Sequence, residues 1–572
     1  MLKTVLIMAS CLALAVSGGA AIAQSQKSRI VHDAEYYVLK AQHGNKWAAE
    51  DKELSTKLAA LKRKHGMPPN IVHIMVDDTA VGEIGIPAIQ KVRGFSTPNI
   101  NRLAREGINF MRMYTEPSCT PSRAAVMTGR HPIRNGMFNV GFPYEYGGLA
   151  KDEVTMGEVL GKAGYATAFY GKWHLGDVEE SYATKQGFDE ALWTPYNQVP
   201  SMYLPGPEIA GAISPTAFSP EIFPHDPYDM DKGWRPKGTV WHLEGKKGGE
   251  VREFLPPTDV KNWYTALKQE ETRTMAFIEK NAAAKKPFYV ALWPSLTAFT
   301  PYPEKKTASG GLLQEGFARL EPFVGELMER LKQLGIAENT LVIFMADNGP
   351  MTHNGPPGMI EVLHRGGKGD YLEGGVRAAA MAWWPGMIKP GQTVGDIIHI
   401  TDLFTTFARL GGATKHIPTD RIIDGIDQTA LFISGDTHSR RDYVHIYTGA
   451  VYAASVKGRF KRHWVGELPG LSGASFYDLY NDPREVQPKM LPMFPTKGMF
   501  NTMKARHEIW MEKYPNVDEA KGFPLTGIAN ARPETIKAST ARFKKSEIPF
   551  DIEEVMKRTR EYEKFEANWG IK

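Results

Sequence analysis

The chain has 572 residues, 42% of them hydrophobic and 23% charged, with a formal charge of +5. A composition this ordinary, without a low-complexity tract, excludes a wholly disordered chain, and the length argues for two domains rather than one core. The charge is small and the basic runs at 62–64 and 459–462 are short, which excludes a nucleic-acid-binding face built on clustered Lys and Arg.

Residues 1–23 read as a signal peptide: Lys3, an apolar run over 5–16, then Ala21-Ile22-Ala23 as the cleavage site. The run is too short to span a membrane, and no later stretch is long and apolar enough to do so. A lipoprotein anchor at Cys11 is the rival reading; it fits poorly because the apolar run continues past Cys11. The expectation is an exported protein, periplasmic or secreted. Cys11 and Cys119 are the only cysteines, so cleavage leaves Cys119 without an intramolecular partner. A lone cysteine there is either an inert core residue or a reactive one.

Residues 24–66 are polar and Lys-rich, with a helical look over 48–61, and read as a surface arm ended by Pro68-Pro69. Strands are predicted at 70–76, 110–114, 166–170, 288–293 and 340–346. Helices are predicted at 100–106, 156–163, 263–279 and 321–334, and another is expected to open at Cys119-Thr120-Pro121 with Ser118 or Thr120 as its cap. This alternation predicts an α/β fold, a mainly parallel sheet sandwiched by helices, over 67–440. Residues 193–257 interrupt it as a loop-rich insertion, with nine prolines between 195 and 236. Residues 441–572 have the texture of a smaller C-terminal α+β domain with a charged helical tail. The sequence carries no signal of oligomeric state.

Asp77-Asp78 and Asp347-Asn348 each follow an apolar strand, and in open α/β sheets ligands gather at the carboxyl ends of strands. Either pair alone is more often a turn or a cap. Together, three carboxylates and an amide oxygen are hard donors suited to Ca²⁺ or Mg²⁺ rather than zinc. Cys119 lies in Cys119-Thr120-Pro121-Ser122-Arg123, continuing Ala-Ala-Val-Met-Thr-Gly-Arg130. This segment resembles the signature of the type I sulfatases, the formylglycine-dependent, arylsulfatase-like members of the alkaline phosphatase superfamily. Further matches follow in the family's order: Ser96-Thr97-Pro98-Asn99-Ile100, Gly171-Lys172-Trp173-His174-Leu175-Gly176, Ala346-Asp347-Asn348-Gly349, Lys368 with Glu373-Gly374-Gly375-Val376-Arg377, and Phe476-Tyr477-Asp478-Leu479.

The resemblance implies an alkaline-phosphatase-like fold and sulfate ester hydrolysis, with an aryl sulfate or a similar ester as substrate. It implies that a sulfatase-maturing enzyme oxidises Cys119 to formylglycine. It also implies that Asp77, Asp78, Asp347, Asn348 and residue 119 hold one divalent cation, Ca²⁺ before Mg²⁺. In that scheme a hydrated aldehyde at 119, assisted by Arg123, attacks sulfur and carries the sulfate covalently. Loss of the proton from its second hydroxyl, to His174, then expels sulfate. Lys172 and Lys368 bind the sulfate. The bland readings are a surface Lys172 and a His174 stacked on Trp173.

One family position departs from the pattern. A histidine that protonates the leaving group is expected after the strand 288–293, and the segment there is Pro294-Ser295-Leu296-Thr297-Ala298-Phe299-Thr300-Pro301, with Ala298 at the aligned place. Lys368, or one of His225, His242, His353 and His364, is the alternative donor, with His353 the leading histidine and a candidate substrate contact because it follows Asp347-Asn348. Other readings are a substrate with an acidic alcohol, a weakened relative that only binds sulfated ligands, and a phosphonate or phosphate ester hydrolase on the same fold. Trp193, Tyr196, Tyr203, Trp234 and Trp241 are candidates for the wall of an aromatic or sugar pocket.

Overall fold

The computed structural model describes residues 30–141, 147–197, 240, 242–255, 260–295, 306–309, 311–352, 363–465, 475–489, 493–533 and 535–536. The signal segment, most of the 193–257 insertion, Ala298, His353 and the tail after 536 lie outside the described residues.

A ten-stranded sheet forms the frame. Across it the strands run Gln392–Val394, Ile108–Phe110, Ala380–Trp383, Thr340–Ala346, Asn70–Val76, Phe288–Trp293, Ala166–Lys172, Glu190–Thr194, Leu243–Lys246 and Val251–Glu253. The five from Thr340–Ala346 to Glu190–Thr194 are mutually parallel; Ala380–Trp383 and Leu243–Lys246 flank them antiparallel. Every residue of Asn70–Val76, Phe288–Trp293 and Thr340–Ala346 is buried, which is why these strands read as continuous apolar runs rather than alternating ones. Successive residues feed two cores. Ile71, Met75, Tyr289, Ala291 and Ile343 meet side chains of the helices Cys119–Thr128, Met156–Lys162 and Asp402–Leu410. Val72, Ile74, Val290, Leu292 and Phe344 meet those of Pro98–Arg105, Val260–Ala283 and Leu312–Gln333. This is the α/β sandwich expected from the sequence.

Three elements differ from expectation; one is the helix expected at 321–334, which runs Leu312–Gln333 and so starts nine residues earlier. The strand predicted at 110–114 is broken: Ile108–Phe110 joins the main sheet, while Met113–Tyr114 pairs with Ile398–His399. The break coincides with Arg112, whose guanidinium donates to Gly458 O at 2.6 Å and lies 5.5 Å from the Tyr480 ring. The N-terminal arm is one helix, Ala34–His65, capped by Asp33 and ended by Gly66 at φ 75°. It is longer than predicted and is not a bare surface element, since Leu39, Trp47, Leu54 and Leu61 are buried. Their spacing of seven to eight residues marks one narrow stripe, too sparse to stand out in a Lys-rich sequence.

The C-terminal part contributes an antiparallel sheet of Tyr443–Thr448, Val451–Lys457, Phe460–His463 and Phe476–Asp478, and the helix Met493–Lys513. Phe500 and Met503 of that helix cluster with Leu39 and Trp47 of the N-terminal helix. No helix among the described residues is long and apolar enough to cross a membrane.

Candidate active site

The carboxyl edge of the sheet assembles the site. Strand register pairs Val76 with Ala346, so Asp77 and Asp347 leave the sheet side by side. The two turns are tied together: the Asp347 amide donates to Val76 O (3.0 Å), the Thr79 amide to Asn348 O (3.0 Å) and the Asp78 amide to Asp347 Oδ1 (3.1 Å). Asp78 adopts φ 48°, a left-handed conformation that Asp tolerates better than most residues. Two strands away, Lys172 ends the strand Ala166–Lys172. It follows Gly171, at φ 111°, where a Cβ would lie 1.9 Å from Trp293 O, so only glycine fits.

Cys119 opens the helix Cys119–Thr128 and is wholly buried. Ser118 is its N-cap residue but makes no side-chain cap bond, contrary to expectation. Instead Ser122 Oγ donates to Glu116 O (3.0 Å), and Thr120 Oγ1 accepts from the Gly141 amide (3.0 Å). One turn along, the buried Arg123 guanidinium donates to Asp347 Oδ2 (2.7 and 3.0 Å), Asp77 Oδ1 (3.0 Å) and Lys172 O (2.6 Å). It lies 5.2 Å from the Trp293 ring. Lys172 Nζ donates to Asp77 Oδ1 (2.5 Å) and Lys368 Nζ to both Asp78 oxygens (2.7 and 3.0 Å). Asn348 Nδ2 donates to Asp78 Oδ1 (2.7 Å). Lys172 is therefore buried in the site rather than exposed. The Lys368 side chain, 13% exposed, is the group of this set that meets solvent.

Three carboxylates face three cations. Burial raises the Asp77 carboxyl, but Lys172, Lys368 and Arg123 override it and hold Asp77 well below the usual range. Burial pushes Asp78 up against the pull of Lys368. Burial and the neighbouring Asp77 push Asp347 to about 7. Burial likewise raises the Cys119 thiol, which Lys172 and Lys368 only partly offset. An unmodified Cys119 is thus a neutral thiol, a weak nucleophile.

Oδ2 of Asp77 and Oδ1 of Asn348 are buried acceptors without a hydrogen-bond partner among the described residues. One atom each from Asp77, Asp78 and Cys119 falls within 4.8 Å of the others. Uncommitted, buried hard-oxygen acceptors of this kind fit Ca²⁺ or Mg²⁺. His174, at φ 57°, presents Nε2 to Gly141 O at 2.7 Å. A carbonyl only accepts, so Nε2 carries the proton and Nδ1, which has no partner, carries the lone pair. Burial and Lys172 keep the ring neutral.

The Sulfatase family model matches residues 69–413. The chain belongs to the sulfatase family. It is similar to human arylsulfatase A, at 33% identity over 82% of this chain and 86% of that protein. It is also similar to mouse N-acetylgalactosamine-6-sulfatase, at 32% identity over 69% of this chain and 72% of that one. Among solved structures, the PsFucS1 sulfatase from Pseudoalteromonas sp. superposes with a TM-score of 0.71 at 29% identity, over 82% of this chain and 96% of that one. This sulfatase is accordingly a sulfuric ester hydrolase, and its fold is that of the alkaline phosphatase superfamily.

Other sequence candidates fall elsewhere in the sulfatase. His225 and His353 lie outside the described residues, as do Tyr203, Trp234 and Trp241. His364 is buried and close enough to Glu373 to help hold that carboxyl below its usual range, behind Lys461 and Arg377. His242 is buried, with Nε2 3.4 Å from Glu270 Oε1. Glu270 Oε2 also accepts from the Ser295 amide (2.9 Å), two residues past the end of the Phe288–Trp293 strand. Trp193 and Tyr196 pack the core instead of walling a pocket; the Tyr196 hydroxyl donates to Asp177 at 3.0 Å. Sequence reasoning did not find Trp293 beneath Arg123, or Gly141 as the acceptor that orients His174. Trp293 is one residue of an apolar strand, and Gly141 carries no side chain to read.

Proposed function

We propose that this sulfatase hydrolyses a small or saccharide sulfate ester through residue 119 after its oxidation to formylglycine. The observation that carries this reading is Cys119 buried at the head of its helix beside Asp77, Asp78, Lys172 and Lys368, where the thiol itself is a weak nucleophile. Asp77, Asp78, Asp347, Asn348 and residue 119 would hold a divalent cation, most fittingly Ca²⁺. When bound, that ion would ease deprotonation of a hydroxyl on residue 119 and polarise the sulfate.

The protein's own groups then have separate tasks. Arg123, held by Asp77, Asp347 and the Trp293 ring, fixes the carboxylates and puts a permanent positive charge behind residue 119. Lys172 and Lys368 exchange their carboxylate contacts for the sulfate oxygens, where negative charge accumulates. One hydroxyl of the hydrated aldehyde attacks sulfur, the sulfur–oxygen bond to the alcohol breaks, and the sulfate remains on residue 119. His174 Nδ1 accepts the proton of the second hydroxyl, the carbon–oxygen bond to sulfate breaks, and the aldehyde returns. Lys368, the member of this set that meets solvent, supplies the proton or cationic hydrogen bond to the leaving alcohol oxygen.

We also infer that the chain is exported after cleavage behind Ala23 and is matured by a formylglycine-generating enzyme. The test is mass spectrometry of the tryptic peptide containing residue 119, beside turnover of matched aryl sulfate and aryl phosphonate esters. An aldehyde at 119 and faster sulfate turnover are expected. An unmodified cysteine in active protein, or faster phosphonate turnover, would overturn the reading.

A further inference from the structure

The Lys368 ammonium meets solvent at the end of a long, flexible side chain. In the function proposed above it gives up its contacts to Asp78 when sulfate binds, so the backbone beneath it decides where it can reach. That backbone is folded tightly on itself. The Lys368 amide donates to Pro350 O (2.8 Å), the Asp370 amide to Gly367 O (3.0 Å) and the Gly374 amide to Arg365 O (2.8 Å). A Cβ on Gly375 would lie 2.1 Å from Asp370 O, so the turn closes on bare backbone.

The C-terminal sheet holds this turn. Lys461, wholly buried in the strand Phe460–His463, donates to Tyr371 O (2.8 Å) and Glu373 Oε1 (3.0 Å), and pairs with Glu485 Oε1 (2.9 Å). Tyr371 and Glu373 follow Lys368 within five residues. The Glu373 amide donates to Glu485 Oε2 (2.6 Å), and its carboxylate also accepts from the Tyr114 hydroxyl (2.9 Å) and Arg377 (3.1 Å). Glu485 makes these contacts from a left-handed backbone, φ 53°, which a non-glycine residue keeps only where its surroundings impose it. Burial works against the charge on Lys461, but Glu373 and Glu485 more than offset it. Two carboxylates thus meet two cations, Lys461 and Arg377, and removing either side would strand buried charge.

We propose that Lys461 and Glu485 are positioning residues for the reaction: through Tyr371 and Glu373 they set the turn from which Lys368 reaches the sulfate ester. The inference rests on the role given to Lys368 above. A pair serving only to join the two sheets could meet the main body anywhere. Both acceptors of Lys461 there, Tyr371 O and Glu373 Oε1, lie on the turn that carries Lys368.

The test compares kcat on an alkyl sulfate and on nitrophenyl sulfate for the whole protein carrying Lys461→Met, Lys368→Met or both. Lys461→Met should lose about 10²-fold on the alkyl sulfate, as a misplacement of about 1 Å does, and repeat the substrate pattern of Lys368→Met. Added to Lys368→Met, it should cost less than about twofold more, because residues that act through one another are not additive. No loss in Lys461→Met, losses that multiply in the double variant, or a different substrate pattern would overturn the positioning and leave Lys461 a tie between sheets. Full turnover by Lys368→Met would instead refute the role given to Lys368, and the positioning with it. If Lys461→Met does not fold, Glu485→Gln takes its place. It keeps an acceptor for the Glu373 amide and removes one of the two carboxylate charges on Lys461. A loss of about tenfold is expected, and the same comparison decides.

Discussion

Lys368 meets solvent from the middle of an otherwise sealed set, and that position gives it the most testable role. Lys368→Met should cost about 10²–10⁴-fold in kcat on alkyl sulfates, and much less on nitrophenyl sulfate, whose alcohol leaves without help. Equal losses on both would mean that Lys368 only binds sulfate. Residue 119 offers a second measurement. Cys119→Ser supplies one hydroxyl where the hydrated aldehyde has two, so elimination cannot follow sulfation. The variant should release one equivalent of alcohol per chain and retain one sulfo group at Ser, read by mass spectrometry; sustained turnover would contradict the mechanism. Asp77, Asp78, Asp347 and Asn348 were legible as a set because each pair follows an apolar strand. The Nδ1 lone pair of His174 was not, because a carbonyl 33 residues away in sequence decides its tautomer.

At the level of elements, the sequence located the central strands well. The runs 70–76, 288–293 and 340–346 were predicted to the residue, since a parallel strand covered on both faces has no polar alternation to blur its ends. Elements defined by distant partners were read less well. The 110–114 segment splits because Arg112 turns to Gly458, and the N-terminal helix hides its stripe among lysines. The turn before Lys172 gives a prediction at this scale. Gly171→Ala combines a left-handed backbone with a 1.9 Å collision on Trp293 O. It should shift the end of that strand and cost about 3 kcal/mol or more of stability together with most activity. Gly66→Ala is the control: φ is 75° but nothing lies within 4 Å of the new Cβ. It should cost only about 1–2 kcal/mol and leave turnover unchanged. Similar melting temperatures for the two variants would refute the steric argument.

The whole molecule is sewn together at its ends. Asp33 and Glu35, at the head of the N-terminal helix, pair with His507 (2.6 Å) and Arg506 (2.5 Å) of the C-terminal helix, and Glu35 also pairs with Lys457 (2.8 Å). Beside this seam burial holds His32 at about 4, and in the central strand Asn70–Val76 burial holds His73 at about 3, against 6.5 for both when unfolded. At these two positions the unfolded chain therefore binds more protons than the folded one between pH 6.5 and about 4. Stability from His32 is complete above 6.5 and falls as the medium is acidified through that window, by about 3 kcal/mol in all. From pH 6.5 to about 4 the wild type should lose more melting temperature than His32→Asn; parallel profiles for the two would exclude this account. The seam was not readable from the sequence, because its partners stand more than 400 residues apart.

The complete burial of Cys119 sets a clock on the molecule. Gly369, next to Lys368, closes over the segment by donating its amide to Pro117 O, about 250 residues after Cys119 has been made. At about 5–20 residues per second, that interval lasts roughly ten to fifty seconds of synthesis. Under the function proposed above, an enzyme that oxidises the thiol would have to win a race against the fold, and each chain that lost it would be sealed with an unmodified, buried cysteine. The fraction of active molecules in a preparation would then record the ratio of two rates, so slower translation should raise specific activity without changing the protein's amount or stability.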